Sequence, residues 1–188
     1  GKEGKGRALI DGGGFAGGAF DVGRLVISHV LTDNAAPSLD WVVNSHPDAD
    51  HLQGLLFPLE TFRIGKVAMG PDPDNATRTM LRRDMILHNR GLAPETVSFP
   101  DTLTLAPGLV LEVLHPSESD TRLSSNNSAL VLRLVHNGKS LALLCGAIEA
   151  NGLARLLGTG VPLGADLPIL PPPRSAPTPL PPLYDAAP

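Results

Sequence analysis

The sequence predicts sheets flanked by helices, in the α/β or α+β class. In the first half, short apolar runs of strand length alternate with segments of helical spacing. The second half changes to a strand-like period, and Asn137-Gly138 between two apolar runs indicates a β-hairpin. A helical pattern, "IEANGLARLLGTG", then returns before the chain becomes dominated by proline. This order of elements is typical of a mixed fold.

The first half contains three predicted strands and two predicted helices. "RALID", residues 7–11, is a strand that runs into a turn at Gly12–Gly14, where glycine permits positive φ. Apolar residues at helical spacing predict a helix over about residues 22–31. "LDWVVNS" is a buried strand, and "HLQGLLFPLETF" predicts a short helix broken near Pro58. "KVAMG" is the third strand.

The rest of the chain predicts one more helix before the strands of the second half. "DPDNATRTMLRRDMILHNRGL" is a helix capped near Asp74 or Asn75 and ended by Gly91. "TLTLAPGLVLEVLHP" and "NNSALVLRLVHNGKSLALLCG" are strand-like. The proline-rich end cannot form a helix interior or a central strand, so we expect it to be extended or disordered. We predict a main domain over residues 1–165 and a proline-rich segment over residues 166–188.

Composition limits the function classes. The 188 residues, 42% of them hydrophobic, are enough for one sizeable core. A net charge of −4 gives no global basic surface, so any nucleic-acid contact has to be local. The single Cys145 excludes an intrachain disulfide. No apolar run approaches the roughly 20 residues that span a bilayer, and no signal peptide is present. We therefore expect a soluble chain, and its start at Gly1 rather than Met suggests a piece of a longer protein.

The stretch "NSHPDADH" concentrates potential metal ligands directly after the apolar run "WVV". His46, Asp48, Asp50 and His51 fall within six residues. Imidazole nitrogens and carboxylate oxygens are natural ligands of Zn²⁺ and Mn²⁺. The alternative is a solvated polar loop in which an Asp caps the following helix. The density of ligands favours a divalent-metal site.

The segment "SHPDADHLQGL" resembles the His-x-His-x-Asp-His signature of the metallo-β-lactamase fold. Asp at the second His position is typical of the ComEC/Rec2 family of DNA-uptake proteins. Five further segments match that family in order: "LIDGGGF", "FDVGRLVISHVL", "VLHP", "NNSALVLRL" and "LLCGAIEANGLARLL". The resemblance covers about residues 8–188. It implies an α+β fold, an αββα sandwich with the metal site at one edge between the two sheets.

The resemblance also implies a function. In this family the C-terminal domain of a polytopic membrane protein acts in DNA uptake during competence, as a metal-dependent nuclease. The implied partners are DNA and the membrane channel portion of the parent protein. The implied location is the extracytoplasmic side of a bacterial inner membrane, as a soluble domain. The implied cofactor is a divalent ion, Zn²⁺ or Mn²⁺, which we expect to be weakly held or absent in this copy.

The family pattern assigns site residues in this sequence. His46, Asp48, Asp50 and His51 fill the metal positions, and Asp50 and His51 are also catalytic. Asp11 and the pair Asn127 and Ser128 flank the site. Ala147 stands where the family has a bridging aspartate, and Pro172 and Pro173 stand where it has two histidines. Because alanine and proline side chains carry no donor atom, we expect impaired or absent catalysis.

Two other functions remain open. One is an active hydrolase of the same fold that uses a single ion at His46–His51. The other is a non-catalytic module that binds DNA or scaffolds the channel. Arg78, Arg82 and Arg83 are candidate DNA-phosphate contacts, although the neighbouring acidic residues are also typical of a solvated helix face. His115 is read as a strand-end residue.

Overall fold

A computed structural model of the chain describes residues 6–15, 17, 20–120 and 123–169. They divide into two compact units, one ending at Thr96 and the other beginning at Val97. Each unit contains one sheet and its own helices. The predicted class of sheets flanked by helices is therefore confirmed, whereas the sandwich arrangement of the layers stays a prediction. Within the described ranges, no helix is long and apolar enough to cross a bilayer.

The first unit has a four-stranded parallel sheet in the order β1-β2-β3-β4. Parallel neighbours require a crossover between consecutive strands, and helical segments supply each one. The strands are β1 (Ala8–Ile10), β2 (Ser38–Asn44), β3 (Arg63–Met69) and β4 (Pro94–Thr96). The helices are a π-helical turn (Gly23–Ile27) that continues into α1 (Ser28–Thr32), then α2 (Ala49–Thr61) and α3 (Arg78–Arg90).

Helix α2 continues through Pro58, so the predicted break is wrong. Its buried face contains Leu52, Leu55, Leu56 and Leu59, which belong to the core cluster that also contains residues of β2 and β3. Leucines at this spacing form the apolar stripe of a core-facing helix. Pro58 lies in the last turn, where the helix loses a single backbone hydrogen bond. Burial of the leucine face outweighs that loss.

Helix α3 begins later than predicted and ends where predicted. Its N-cap is Thr77, not Asp74 or Asn75, because the Thr77 hydroxyl oxygen accepts a hydrogen bond from the Met80 amide at 3.2 Å. Gly91 ends the helix in the left-handed conformation with φ of 62°. The helix predicted over residues 22–31 is present as the π-helical turn and α1. Val30, one of the apolar residues whose spacing predicted this helix, is nevertheless 71% exposed.

The second unit has a five-stranded sheet in the order β5-β6-β7-β8-β9. The strands are β5 (Thr102–Ala106), β6 (Leu109–His115), β7 (Val131–His136), β8 (Lys139–Leu144) and β9 (Leu167–Ile169). All pairs are antiparallel except β8 with β9. The hairpin predicted at Asn137-Gly138 is confirmed, with φ of 50° and 80° at the two turn residues.

Helix α4 (Ala150–Gly158) contributes Leu153 and Leu156 to the core of the second unit. Strand β9 lies at the edge of its sheet, a position that tolerates Pro168. It belongs to the predicted proline-rich segment, of which the structure describes residues 166–169. Pro172 and Pro173 lie outside the described residues, so the substitutions there stay a reading of the sequence alone. The predicted boundary after residue 165 also stays a prediction.

Candidate metal centre

The ligand cluster lies where β1 and β2 end. These strands are parallel neighbours with Ile10 paired to Val43, so the residues that follow each strand come together at one edge of the sheet. Asp11 follows β1, and the segment from Ser45 to Asp48 follows β2 and leads into α2. The Asp11 amide donates to the Val43 carbonyl at 2.9 Å, which extends the pairing by one residue. The sheet therefore brings Asp11 to the cluster.

Asp11 accepts hydrogen bonds from several groups of the loop. Its Oδ1 accepts from the Ser45 amide at 2.7 Å and from the Asn44 side-chain amide at 3.2 Å. Its Oδ2 accepts from the Ser45 hydroxyl at 2.6 Å and lies 2.7 Å from His51 Nδ1. Burial alone would raise the pKa of Asp11, but the bonds from His51 and Ser45 outweigh burial and lower it. Asp11 is therefore an ionised acceptor.

The two histidines lie side by side, with ring centroids 4.1 Å apart. His46 is 1% exposed, and its Nδ1 lies 2.9 Å from the Ser45 hydroxyl oxygen. His46 Nε2 lies 3.7 Å from Asp48 Oδ2, and His51 Nε2 lies 3.9 Å from Asp50 Oδ2. Each ring thus has Nδ1 engaged on the Asp11 side and Nε2 near a carboxylate of the loop.

Asp48 occupies the position before α2, as the capping alternative requires, but its side chain makes no cap hydrogen bond.

The cluster of possible metal ligands forms two overlapping groups. One contains Asp11, His46 and His51, and the other contains His46, Asp48 and Asp50. Within each group one donor atom per residue lies within 4.8 Å of the others. This mixture of imidazole and carboxylate donors fits Zn²⁺ or Mn²⁺. The chain therefore has a candidate His/Asp metal site, built from the predicted residues.

Two glycines hold the turn after Asp11 against the start of α2. The Gly12 amide donates to the His51 carbonyl at 2.7 Å, and the Gly54 amide donates to the Gly13 carbonyl at 2.9 Å. A Cβ atom on Gly54 would lie 1.9 Å from the Gly12 carbonyl oxygen, so only glycine fits there. Sequence reasoning missed Gly54 and Ser45. The signal for Gly54 is a glycine within an otherwise apolar helix.

The flanking residues Asn127 and Ser128 lie in a 3₁₀ turn (Asn126–Ser128) of the second unit. Asn127 Oδ1 accepts from the Gly152 amide at 2.8 Å in the first turn of α4. Ser128 Oγ lies 3.1 Å from the Ser124 carbonyl oxygen. Ala147 is buried in the same unit. Their polar contacts described here are internal to that unit, and their role beside a metal stays a prediction.

The three arginines of α3 that were predicted to contact DNA differ in their surroundings. Arg83 is 2% exposed at its side chain, and its guanidinium binds the Asp72 carboxylate through two hydrogen bonds of 2.9 and 2.5 Å. Burial alone would lower the pKa of Arg83, but the bonds to Asp72 and Asp84 raise it. Arg78 and Arg82 are exposed. A DNA contact through Arg83 conflicts with its burial, whereas contacts through Arg78 and Arg82 stay predictions.

His115 ends strand β6, in agreement with its reading as a strand-end residue. Its Nε2 lies 2.7 Å from the Asn127 carbonyl oxygen, and its Nδ1 lies 3.6 Å from Asp120 Oδ2. Burial lowers the pKa of His115 despite these two neighbours. Arg155 binds Asp120 at 2.8 Å. His115 therefore belongs to a polar cluster of the second unit.

Comparison with known proteins gives low similarity to solved structures. No family model and no curated protein matches this sequence. Among solved structures, the chain is similar to Igni18, described as a novel metallo hydrolase from the hyperthermophilic archaeon Ignicoccus hospitalis, at 17% identity and a TM-score of 0.36. The match covers 56% of this chain and 40% of that chain, which is less than half of its length. A likeness at this level carries no argument about activity.

Proposed function

We propose that this chain is a metal-binding domain of the metallo-β-lactamase hydrolase type, which holds one divalent ion at the end of β2. The observation that supports the proposal is the gathering of His46, Asp48, Asp50 and His51 beside Asp11, with donor atoms within 4.8 Å in each group. Like-charged carboxylates at such distances repel one another unless a cation or proton lies near them. Zn²⁺ and Mn²⁺ suit these donors.

Each residue of the site has a proposed role in hydrolysis. A divalent ion, when bound, polarises a phosphoryl oxygen and activates water. His46, Asp48, Asp50 and His51 would hold the ion, and Asp11 would orient the His51 ring through the hydrogen bond at Nδ1. Two-metal hydrolases need further donors, and Ala147 offers only a methyl group where the resembled family has a carboxylate. We therefore propose a single ion and impaired phosphodiester hydrolysis.

The proposed biological role is DNA uptake, as a domain similar to that of ComEC/Rec2 proteins. The ordered series of motifs supports this role, together with two exposed arginines, Arg78 and Arg82, on α3. The proposed partners are DNA and the membrane channel portion of a parent protein. The proposed location is the extracytoplasmic side of a bacterial inner membrane. These features extend beyond the metal site and have their own test.

The metal content of the purified protein tests the site. The chain is dialysed against Zn²⁺ or Mn²⁺ and then against buffer, and the metal is measured by inductively coupled plasma mass spectrometry. We expect about one ion per chain, lost in His46→Ala and His51→Ala. His136→Ala, which removes an exposed histidine of the second unit, serves as the matched control and should retain the ion. Equal retention by all variants would contradict the proposal.

DNA binding and cleavage test the role. Fluorescence anisotropy with labelled single- and double-stranded oligonucleotides is measured at several salt concentrations, with and without Mn²⁺. Salt-dependent binding that weakens in Arg78→Ala and Arg82→Ala supports a DNA partner. Metal-dependent cleavage that disappears in His51→Ala would establish the active single-ion hydrolase. Absence of both binding and cleavage would contradict a role in DNA uptake.

A further inference from the structure

The hydroxyl of Ser45 lies between the Asp11 carboxylate and the His46 ring. Ser45 Oγ is 2.6 Å from Asp11 Oδ2 and 2.9 Å from His46 Nδ1. Ser45 is 2% exposed and His46 is 1% exposed, so solvent does not compete for these bonds. The Ser45 amide also donates to Asp11 Oδ1 at 2.7 Å, which holds the residue against the carboxylate from two directions.

The chemistry of the groups fixes the direction of both bonds. An ionised carboxylate only accepts hydrogen bonds, so Ser45 must use its single hydroxyl proton to donate to Asp11. Ser45 Oγ can then only accept at its other contact. His46 Nδ1 must therefore be the donor, which places a proton on that nitrogen. The same rule applied to the 2.7 Å contact between His51 Nδ1 and Asp11 places a proton on His51 Nδ1.

We propose that Ser45 is a positioning residue that relays the hydrogen-bond preference of Asp11 to His46. One carboxylate then sets the tautomer of both imidazoles, directly at His51 and through the Ser45 hydroxyl at His46. Both rings carry the proton on Nδ1 and present the Nε2 lone pair, so that each ring can bind a metal through Nε2. The consequence for a metal rests on the proposed function, whereas the tautomers can be measured without one.

The opposite tautomer of His46 fits the distances less well. With its proton on Nε2, His46 would have no proton on the nitrogen that faces Ser45. Its Nδ1 would then be an acceptor facing Ser45, whose only hydroxyl proton is used by Asp11 at 2.6 Å. The Nδ1–H tautomer satisfies every contact of Ser45 and is the one that the relay requires.

Nitrogen-15 spectroscopy of the histidine rings tests the relay directly. The metal-free protein is prepared with a chelator, and the pH is raised until the ring spectra no longer change, so that the neutral forms of the rings are compared. Long-range correlation of ring nitrogens and carbon-bound protons distinguishes the two tautomers. We expect both His46 and His51 to carry the proton on Nδ1. A proton on Nε2 of His46 in the wild-type protein would overturn the proposal.

Variants of Ser45 separate the relay from simple packing. Ser45→Ala should move the His46 proton to Nε2 and leave His51 unchanged, since His51 contacts Asp11 directly. Ser45→Thr keeps a hydroxyl and should restore the wild-type tautomer. Ser28→Ala is the matched control, because its hydroxyl donates to the Arg24 carbonyl in the same unit, away from the two histidines in sequence. An unchanged His46 tautomer in folded Ser45→Ala would overturn the relay. The wild-type spectrum decides the question if that variant does not fold.

Zinc affinity then connects the relay to the proposed function. Competition with a chromophoric chelator should show Zn²⁺ binding weakened about 10- to 100-fold in Ser45→Ala, the usual cost of losing a group that orients a ligand. Ser28→Ala should bind like the wild type. Equal affinity of Ser45→Ala and wild type would overturn the role of the relay in metal binding. Absence of Zn²⁺ binding by the wild type would instead contradict the proposed function, while the tautomer result stands separately.

Discussion

His51 Nδ1 lies 2.7 Å from Asp11 Oδ2, although 40 positions separate the two residues in the sequence. The contact exists because β1 and β2 are parallel neighbours whose ends meet at one edge of the sheet. It joins the turn after β1 to the helix that carries two of the proposed ligands. Asp11 therefore links the fold of the first unit to the chemistry of the candidate site.

Asp11→Asn should weaken metal binding without removing any of the four proposed ligands. The amide has similar volume but no charge, and its NH₂ group cannot accept a hydrogen bond from His51 or Ser45. We expect the Zn²⁺ affinity to fall about 10- to 100-fold, measured by chelator competition. Asp33→Asn, an exposed site in the same unit, is the control. An affinity within about twofold of the wild type would argue against this role of Asp11.

Gly54→Ala should destabilise the first unit, because a Cβ atom would lie 1.9 Å from the Gly12 carbonyl oxygen. The chain can relieve this overlap only by moving the turn away from α2. We expect the free energy of unfolding to fall by about 1–3 kcal/mol or more in urea denaturation. Gly158→Ala is the matched control, since a Cβ atom there would meet nothing within 4 Å. Equal stability of the two variants would show that the close approach does not matter.

The buried His115 should make stability depend on pH in one direction. Its pKa in the folded chain lies below the ordinary value of 6.5, so the unfolded chain binds more protons between the two values. The free energy of unfolding should therefore fall as the pH falls below about 6.5, and level off beneath the folded pKa. His115→Gln should lack this part of the slope. Urea denaturation at about pH 7.5 and about pH 5.5 measures it, and an identical slope in the variant would contradict the assignment.

Arg83→Ala should lower the stability of the fold and should not act specifically on DNA binding. The guanidinium is buried and bound to Asp72 and Asp84, so its removal loses packing and charged hydrogen bonds. We expect a loss of about 1.5–3 kcal/mol in the free energy of unfolding. Arg78→Ala, on the exposed side of the same helix, should change stability by less than about 0.5 kcal/mol. The reverse order of the two effects would contradict the structural role of Arg83.

The sequence patterns predicted most of the strands and the hairpin because these depend on local periodicity, but they missed the three-residue β4. The turn at Asn137-Gly138 needs only two residues that accept positive φ. The break at Pro58 was wrong because tertiary burial of the leucine face overrides a local preference. The cap at Thr77 was missed because several residues before α3 are equally suitable in type. Local rules thus placed the elements more reliably than their ends.

The site was only partly predictable for the same reason. His46, Asp48, Asp50 and His51 are close in sequence, so their spacing alone indicated a cluster. The hydrogen bonds of Ser45 with Asp11 depend on the register of two parallel strands, which no local pattern specifies. The approach of Gly12 to Gly54 likewise appears only once α2 is packed. Long-range pairing therefore supplies the part of the site that holds the ligands in place.

We propose above that the loop after β2 holds one divalent ion. Isothermal titration calorimetry of the metal-free protein with Zn²⁺ measures both the stoichiometry and the affinity of this site. We predict one ion per chain for the wild type and for His136→Ala, and no binding by the double variant His46→Ala, His51→Ala. Absence of binding by the wild type, or unchanged binding by the double variant, would contradict the claim.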